Sequence, residues 1–315
     1  MILLFSNRRD LTTDFLVKEL HGRGATFARV NLESAGDLAV ECDISGNRLS
    51  WHLEVRRERI NLADVKAAYF RRPGRPAALP TLLEADARHF VGEWSALIKS
   101  MCAALEGKWF SNPDAILRAE DKPKQLSNAI AAGFSVPNTL ISNTFQNVKR
   151  FLDSGDAIAK PLCSGHLQDS RSEWVIFTTR VGPIPEYDSP SIELCPVIYQ
   201  REILKQCDIR VTVVGDKVFA TAIESQSLKD STVDWRRGDV SDIAHKAHEM
   251  PETLAVKCRS LVKRLGLRFG AIDLILDRDG KYWFLEINPN GQWAWLEKRV
   301  GHPIASAIVD ELMSI

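Results

Sequence analysis

Net charge is missing from this chain: 41 lysines and arginines balance 41 aspartates and glutamates over 315 residues. Without a global field of one sign there is no electrostatic case for nucleic acid or a membrane surface, and neither is expected as a partner. Long apolar runs are missing too. The N-terminal MILLFSNRRD has a short apolar stretch with its arginines behind it, the reverse order to a secretion signal. No segment approaches the ~20 apolar residues that cross a bilayer. The six cysteines (Cys42, Cys102, Cys163, Cys195, Cys207 and Cys258) lie far apart and make no CxxC pair. That argues against zinc and against a disulfide framework. Reduced thiols in a cytoplasm, most of them small core residues, are expected instead. Internal repeats, low-complexity tracts and Ser-His-Asp or Cys-His motifs for covalent catalysis are also lacking.

What is present alternates strand with helix. MILLFS reads as a buried strand, 10–21 as a helix and ATFARVN as a second strand. Residues 38–55 form a hairpin around Ser45-Gly46-Asn47, and VKAAYF is a further strand running into Arg71-Arg72-Pro73. RRPGRPAALP is loop, and a long amphipathic helix over about 81–105 completes a small α/β unit at roughly 1–110. The arginine doublet at this strand end has two readings, a solvated loop or a group facing a cleft. Beyond 120 come a helix stopped at Gly133, strands at AIAKPL and EWVIFTTRV, and the β-rich VIYQREI, DIRVTVVG and KVFATAIES. Residues 226–250 read as a long polar loop, of the kind that often carries function. A helix at about 251–265, a final hairpin and a helix near 301–313 follow.

The final hairpin, RFGAIDLILDRDGKYWFLEINPN, carries the chemistry. Asp279-Gly280 is a strong two-residue turn signal. With Arg278 paired to Lys281, counting outward sets Asp273 opposite Glu286, and alternation puts Asn288 on the same face. Two facing carboxylates among apolar neighbours repel and resist burial. A divalent cation removes that cost, and Asp, Glu and Asn oxygens suit a hard ion such as Mg²⁺. A hairpin with one wet acidic face is the competing reading. Pro289-Asn290-Gly291 ends the strand and is expected to turn backbone donors toward phosphate or substrate carboxylate; Trp293 and Trp295 are expected in the core.

These residues, in this order, resemble the ATP-grasp ligases. Asp273, Glu286 and Asn288 resemble that family's metal site. AEDKPKQLSNAIAAGFSVPNT resembles its opening helix, with Lys122 as a phosphate-contacting lysine, and AIAKPL the strand whose lysine, Lys160, reaches the phosphates. YQREILKQCDIRVTVVGDKVFATAI resembles the adenine hinge and following hairpin. There the resemblance implies backbone contacts from Arg201, Glu202 and Ile203, Asp208 near the ribose, and Arg210 facing the reacting groups. Arg236 in DWRR resembles a further phosphate clamp. YFRRPGRP, GFSVPNTLISN, DWR and EINPNGQWAWLE narrow the resemblance to the graspetide (microviridin-type) macrocyclases, over nearly the whole chain. Two departures stand out: the lid loop PLCSGHLQDS has a single glycine, and Arg201 stands where an acidic residue is common.

The resemblance implies an α/β (α+β) ATP-grasp fold with an N-terminal pre-ATP-grasp domain at 1–110. A central subdomain at 111–195 would hold the lid and leader-peptide contacts, and a C-terminal one at 196–315 the metal hairpin. It implies ATP and Mg²⁺ as cofactors, homodimerisation, and a ribosomally made precursor peptide with leader and core segments as partner. Arg210, Arg236 and Lys160 are the expected catalytic residues. The implied reaction activates an Asp or Glu side chain as an acylphosphate, which a Thr or Ser hydroxyl or a Lys amine attacks to close an ω-ester or ω-amide ring. Two alternatives stay open: an ATP-grasp ligase adding free amino acids to a protein tail or small acid, and a nucleotide-binding module without catalysis.

Overall fold

Helices and sheets alternate along the computed structural model, which describes residues 1–163, 165–168, 172–237 and 243–315. The N-terminal part runs β1 (Ile2–Ser6), α1 (Leu11–Gly22), β2 (Phe27–Asn31), β3 (Ala39–Ser45), β4 (Arg48–Val55), β5 (Glu58–Asn61), β6 (Ala67–Phe70) and α2 (Glu84–Ala104). β1 lies between β2 and β6 in a parallel three-stranded sheet, and β3, β4 and β5 form an antiparallel meander. A parallel strand in the middle of helices is apolar throughout, and β1 is buried at every position. Gly46 and Asn47, both at positive φ, make the β3–β4 turn where the sequence expected it.

The middle of the chain adds α3 (Pro113–Ala119), α4 (Lys122–Ala131), β7 (Thr139–Ser142), α5 (Phe145–Asp153), β8 (Ala157–Lys160), β9 (His166–Gln168), β10 (Glu173–Val175), β11 (Thr179–Val181), α6 (Ser189–Glu193) and β12 (Val197–Arg201). A four-stranded sheet is ordered β11-β8-β12-β7, so β12, beyond the expected boundary at 195/196, pairs with β7 and β8. EWVIFTTRV is not one strand. It is split into β10, paired with β9, and β11, paired with β8, because the intervening Ile176 N–H turns to Gly165 O at 2.7 Å.

β13 (Lys205–Val214), β14 (Lys217–Ile223), β15 (His245–Ala247), α7 (Glu252–Arg264), β16 (Phe269–Asp277), β17 (Tyr282–Asn288), α8 (Ala294–Val300) and α9 (Ile304–Met313) complete the chain. Five strands form an antiparallel sheet ordered β15-β14-β13-β16-β17. Its two faces divide the side chains of β13 by alternation. Ile209, Val211 and Val213 join Leu261, Leu274 and Phe284 in a core that also takes Ala115, Ile116 and Ala129 from α3 and α4. Asp208, Arg210 and Thr212 point to the other face. Of the cysteines only Cys207 and Cys258 are buried, whereas Cys42, Cys163 and Cys195 are exposed on strand edges and loops and Cys102 lies between; the expectation that most are core is corrected.

Candidate active site

Asp273 pairs with Glu286, and Asn288 lies opposite Ala271 on the same face. The register agrees with the expectation by a different route. The connection is a three-residue one, Arg278 to Gly280, closed by Gly280 N–H on Asp277 O at 3.2 Å with Gly280 in the left-handed region at φ +79. A one-residue offset follows until a bulge between Asp273 and Leu274 sets Leu285 out of the ladder and restores the pairing. β17 is an edge strand, and α4 covers it. The buried Gln125 amide donates to Ile287 O at 2.8 Å and its carbonyl accepts from Ile287 N–H at 3.1 Å, as a neighbouring strand would.

Cations surround the two carboxylates. Lys122, the first residue of α4, donates from Nζ to Glu286 Oε2 at 2.6 Å. Arg210 Nη1 reaches both oxygens of Asp273 at 2.7 Å. Burial alone would raise the Glu286 pKa, but Lys122 and Lys160 overcome it and hold the group down at about 2. Burial pushes Asp273 up, against Arg210, and the facing Glu286 adds to the rise. Lys160 Nζ, at the end of β8, donates to Gln200 Oε1 at 3.1 Å on β12, and Gln200 Nε2 is fixed by Thr139 Oγ1 at 2.8 Å. Burial lowers the Lys160 pKa, while Glu286 works against that. Arg236 is gripped by Asp234, which accepts from Nε and Nη2 at 2.8 Å and from the Arg236 backbone N–H at 3.1 Å; this grip keeps Arg236 charged.

The donor set fits a hard divalent cation. Among the described residues Glu286 Oε1 has only a 3.5 Å contact with Asn288 Nδ2, so that oxygen and the Asn288 side-chain Oδ1 are available on one face, with the Asp273 carboxylate opposite. The repulsion between Asp273 and Glu286 is what such an ion would relieve. The buried Arg210 Nε and Thr212 Oγ1 on the same face have no hydrogen-bond partner among the described residues.

Lys122, Lys160, Arg210, Arg236, Asp273, Glu286 and Asn288 thus converge. The hinge residues are placed differently. The Arg201 guanidinium turns away to Phe151 O, Gly155 O and Ser154 Oγ, and lies 4.1 Å over the Phe151 ring. Its N–H is taken by Asn138 O at 2.9 Å and that of Glu202 by Asp156 O at 3.1 Å, leaving the Ile203 N–H without a partner among the described residues. The Glu202 carboxylate pairs with Arg180 at 2.7 Å. Asp208 is buried against Lys205 Nζ at 2.7 Å, and burial raises its pKa in spite of that lysine. The lid loop PLCSGHLQDS lies partly outside the described residues.

The Pro289-Asn290-Gly291 turn departs from expectation. Gly291 N–H bonds back to Asn288 O at 3.2 Å, and the turn offers carbonyls rather than donors, to Arg71 and Arg72. Gly291 is required here because a Cβ would come within 2.4 Å of Ala271 Cβ. Trp293 is fully buried, while Trp295 is partly buried and packs 5.6 Å from the Trp235 ring. Gln125, Gln200, Lys205 and Asp234 are the supporting residues that the sequence did not single out. Gln125 sits three residues after Lys122 in a quoted motif, but its partner is 162 positions away.

Two sheets facing each other, with basic side chains from both directed at a carboxylate pair, define the ATP-grasp class. A model of the RimK-like ATP-grasp domain matches residues 119–312, and the chain belongs to that family. The macrocyclase MdnC of Microcystis aeruginosa MRC, solved with precursor peptide MdnA, is 28% identical, with a TM-score of 0.86 over 100% of this chain and 99% of that one. A RiPP-associated ATP-grasp ligase of Chryseobacterium gregarium, in complex with ADP and a leader and core peptide, has a TM-score of 0.90 at 24% identity, covering 99% of this chain and 96% of its own. A probable alpha-L-glutamate ligase of Haemophilus influenzae is 26% identical over 221 residues, 67% of this chain and 69% of that protein. Among the described residues no helix is long and apolar enough to cross a membrane.

Proposed function

We propose that this protein is an ATP- and Mg²⁺-dependent ligase that closes ω-ester or ω-amide rings in a ribosomally made precursor peptide. The observation that carries the reading is the convergence of Lys122, Lys160, Arg210 and Arg236 on the Asp273–Glu286 pair. Such a ring of cations has an evident use in offsetting the negative charge of a nucleotide triphosphate. The full-length likeness to a macrocyclase solved with its precursor supports the peptide as substrate.

Asp273, Glu286 and Asn288 would hold the metal ion, which supplies charge neutralisation on the phosphate oxygens. In this reading the Ile203 N–H and Glu202 carbonyl receive the adenine edge. Lys122 and Lys160 bind the phosphates; Gln200 positions Lys160, and its burial makes the ammonium a strong electrostatic partner. A substrate carboxylate attacks the terminal phosphorus and ADP leaves, giving an acylphosphate. A Thr, Ser or Lys side chain of the same peptide then attacks the acyl carbon, phosphate departs and one proton is released. Arg210 and Arg236 stabilise the charge that develops, and no enzyme nucleophile is needed. The units 1–110, 111–195 and 196–315 would act as peptide-side support, lid with leader contacts and metal platform, in a cytoplasmic homodimer.

The test is to supply ATP, Mg²⁺ and a candidate precursor and weigh the product. Loss of one water mass per ring, with one ADP formed each time, is expected. A gain of amino-acid residue masses would contradict the reading and favour the glutamate-ligase chemistry named for the Haemophilus relative.

A further inference from the structure

The doublet Arg71-Arg72 follows β6 directly, and its two arginines have opposite fates. Arg71 is fully buried. Its Nε lies 3.2 Å from Asp10 Oδ2, Nη1 donates to Asn290 O and Gly291 O at 3.0 Å, and Nη2 donates to Gln292 Oε1 at 3.3 Å. It is a structural tie between the N-terminal sheet and the turn that follows Asn288. Arg72 keeps contact with solvent, and only its Nε is engaged, on the same Asn290 carbonyl at 3.0 Å. Both Nη nitrogens are without a partner among the described residues.

Were the chain to continue extended past Phe70, consecutive side chains would point to opposite sides and two neighbouring arginines would not reach one carbonyl. They do so because Arg72 adopts φ +40, in the left-handed region that a bulky residue rarely enters. That conformation is held from outside: Asn7 Nδ2 donates to Arg72 O at 2.7 Å, and Glu33 packs under the following loop, where a Cβ on Gly74 would come within 2.6 Å of it. Backbone strain maintained by its surroundings and aiming a side chain points to a use for that side chain. Through its bond to Asn290 O the Arg72 guanidinium lies against the turn that follows Asn288; desolvation, Arg71 and Arg210 lower its pKa, with Asp10 and Glu120 opposing them. Of the two opposing charges, Asp10 is already held by Arg71, and Glu120 makes no ion pair with Arg72 among the described residues.

We propose that Arg72 receives an acidic side chain of the peptide substrate, its free Nη fork holding a carboxylate beside Arg210. This rests on the peptide-ligase reading above and makes it specific. An arginine fork matches a carboxylate in two parallel hydrogen bonds, which a lysine cannot reproduce. The arginine at the strand end thereby selects Asp and Glu over their amides before any phosphoryl transfer.

Binding is measured for the full chain with ADP and Mg²⁺, using a synthetic peptide of Thr, Lys, Asp and Glu residues and a twin carrying Asn and Gln in place of the acids. The wild type should favour the acidic peptide. Arg72→Gln should weaken that peptide by about tenfold or more, leave the amide twin unchanged, and leave ADP affinity unchanged. Arg72→Lys should fall between. Equal or undetectable binding of the two peptides by the wild type overturns the proposal, as does an Arg72→Gln variant that weakens both peptides or weakens ADP. Failure of the ligase reading shows elsewhere, as absence of ADP formation from ATP with any peptide.

Discussion

On the five-stranded sheet every charged group of the site has a charged partner: Arg210 with Asp273, Lys122 with Glu286. On the four-stranded sheet Lys160 has a single neutral partner, Gln200, among the described residues. The difference extends to the packing behind each wall. The five-stranded sheet rests on continuous cores reaching into α3, α4, α7 and α9, whereas the four-stranded sheet has a small satellite cluster centred on Val148, Leu152, Ala157 and Tyr199. Elements with little buried core open locally at lower cost. In the proposed reading the first wall would hold a fixed metal geometry and the second would close over the nucleotide.

Predictions that break this contrast begin with the largest effect. Glu286→Gln removes the charge that faces Lys122 and Lys160, and ADP formation should fall by roughly a hundredfold or more, read in a coupled assay. Arg71→Ala leaves Asp10 and the Asn290 and Gly291 carbonyls buried without their cation. A loss of about 3–5 kcal/mol in denaturant unfolding is expected. Gln125→Ala uncovers the Ile287 backbone at the sheet edge and should cost about 2 kcal/mol. Arg201→Ala, on the other wall, removes only contacts to the end of α5. It should cost under about 1 kcal/mol and leave ADP affinity unchanged, since in the proposed reading only the backbone there would meet the adenine.

Acid should act on the platform first. Glu286 is held at about 2 in the fold against an ordinary value of 4.5, so its stabilising contribution is fully present above pH 4.5 and fades as the pH falls toward 2. Melting temperatures of the wild type and Glu286→Gln should therefore differ most near neutrality and converge in that acid window. A constant difference across the range would assign the effect to shape rather than charge.

The platform was legible in the sequence because it is local. An Asp-Gly turn signal and strict alternation put Asp273 opposite Glu286, and that pairing stands although the turn has an extra residue, since the bulge at Leu285 cancels the offset. The braces were not legible. Gln125 bonds Ile287 across 162 positions and Arg71 bonds Gly291 across 220, and nothing in the local pattern of either residue announces its partner. The two readings of the arginine doublet could not be separated without φ at Arg72, a backbone property that neighbouring loops impose. Arg201 shows the reverse case: its place in the β-rich VIYQREI was readable, but not that its guanidinium would fold back onto α5.

The central claim is that a substrate carboxylate is activated as an acylphosphate against the Asp273–Glu286 platform. Heavy-oxygen label placed in the Asp and Glu carboxylates of a precursor peptide follows that step directly. One labelled oxygen per ring should leave in inorganic phosphate, matched to one ADP. Rings that form with unlabelled phosphate, or label recovered only in water, would contradict it.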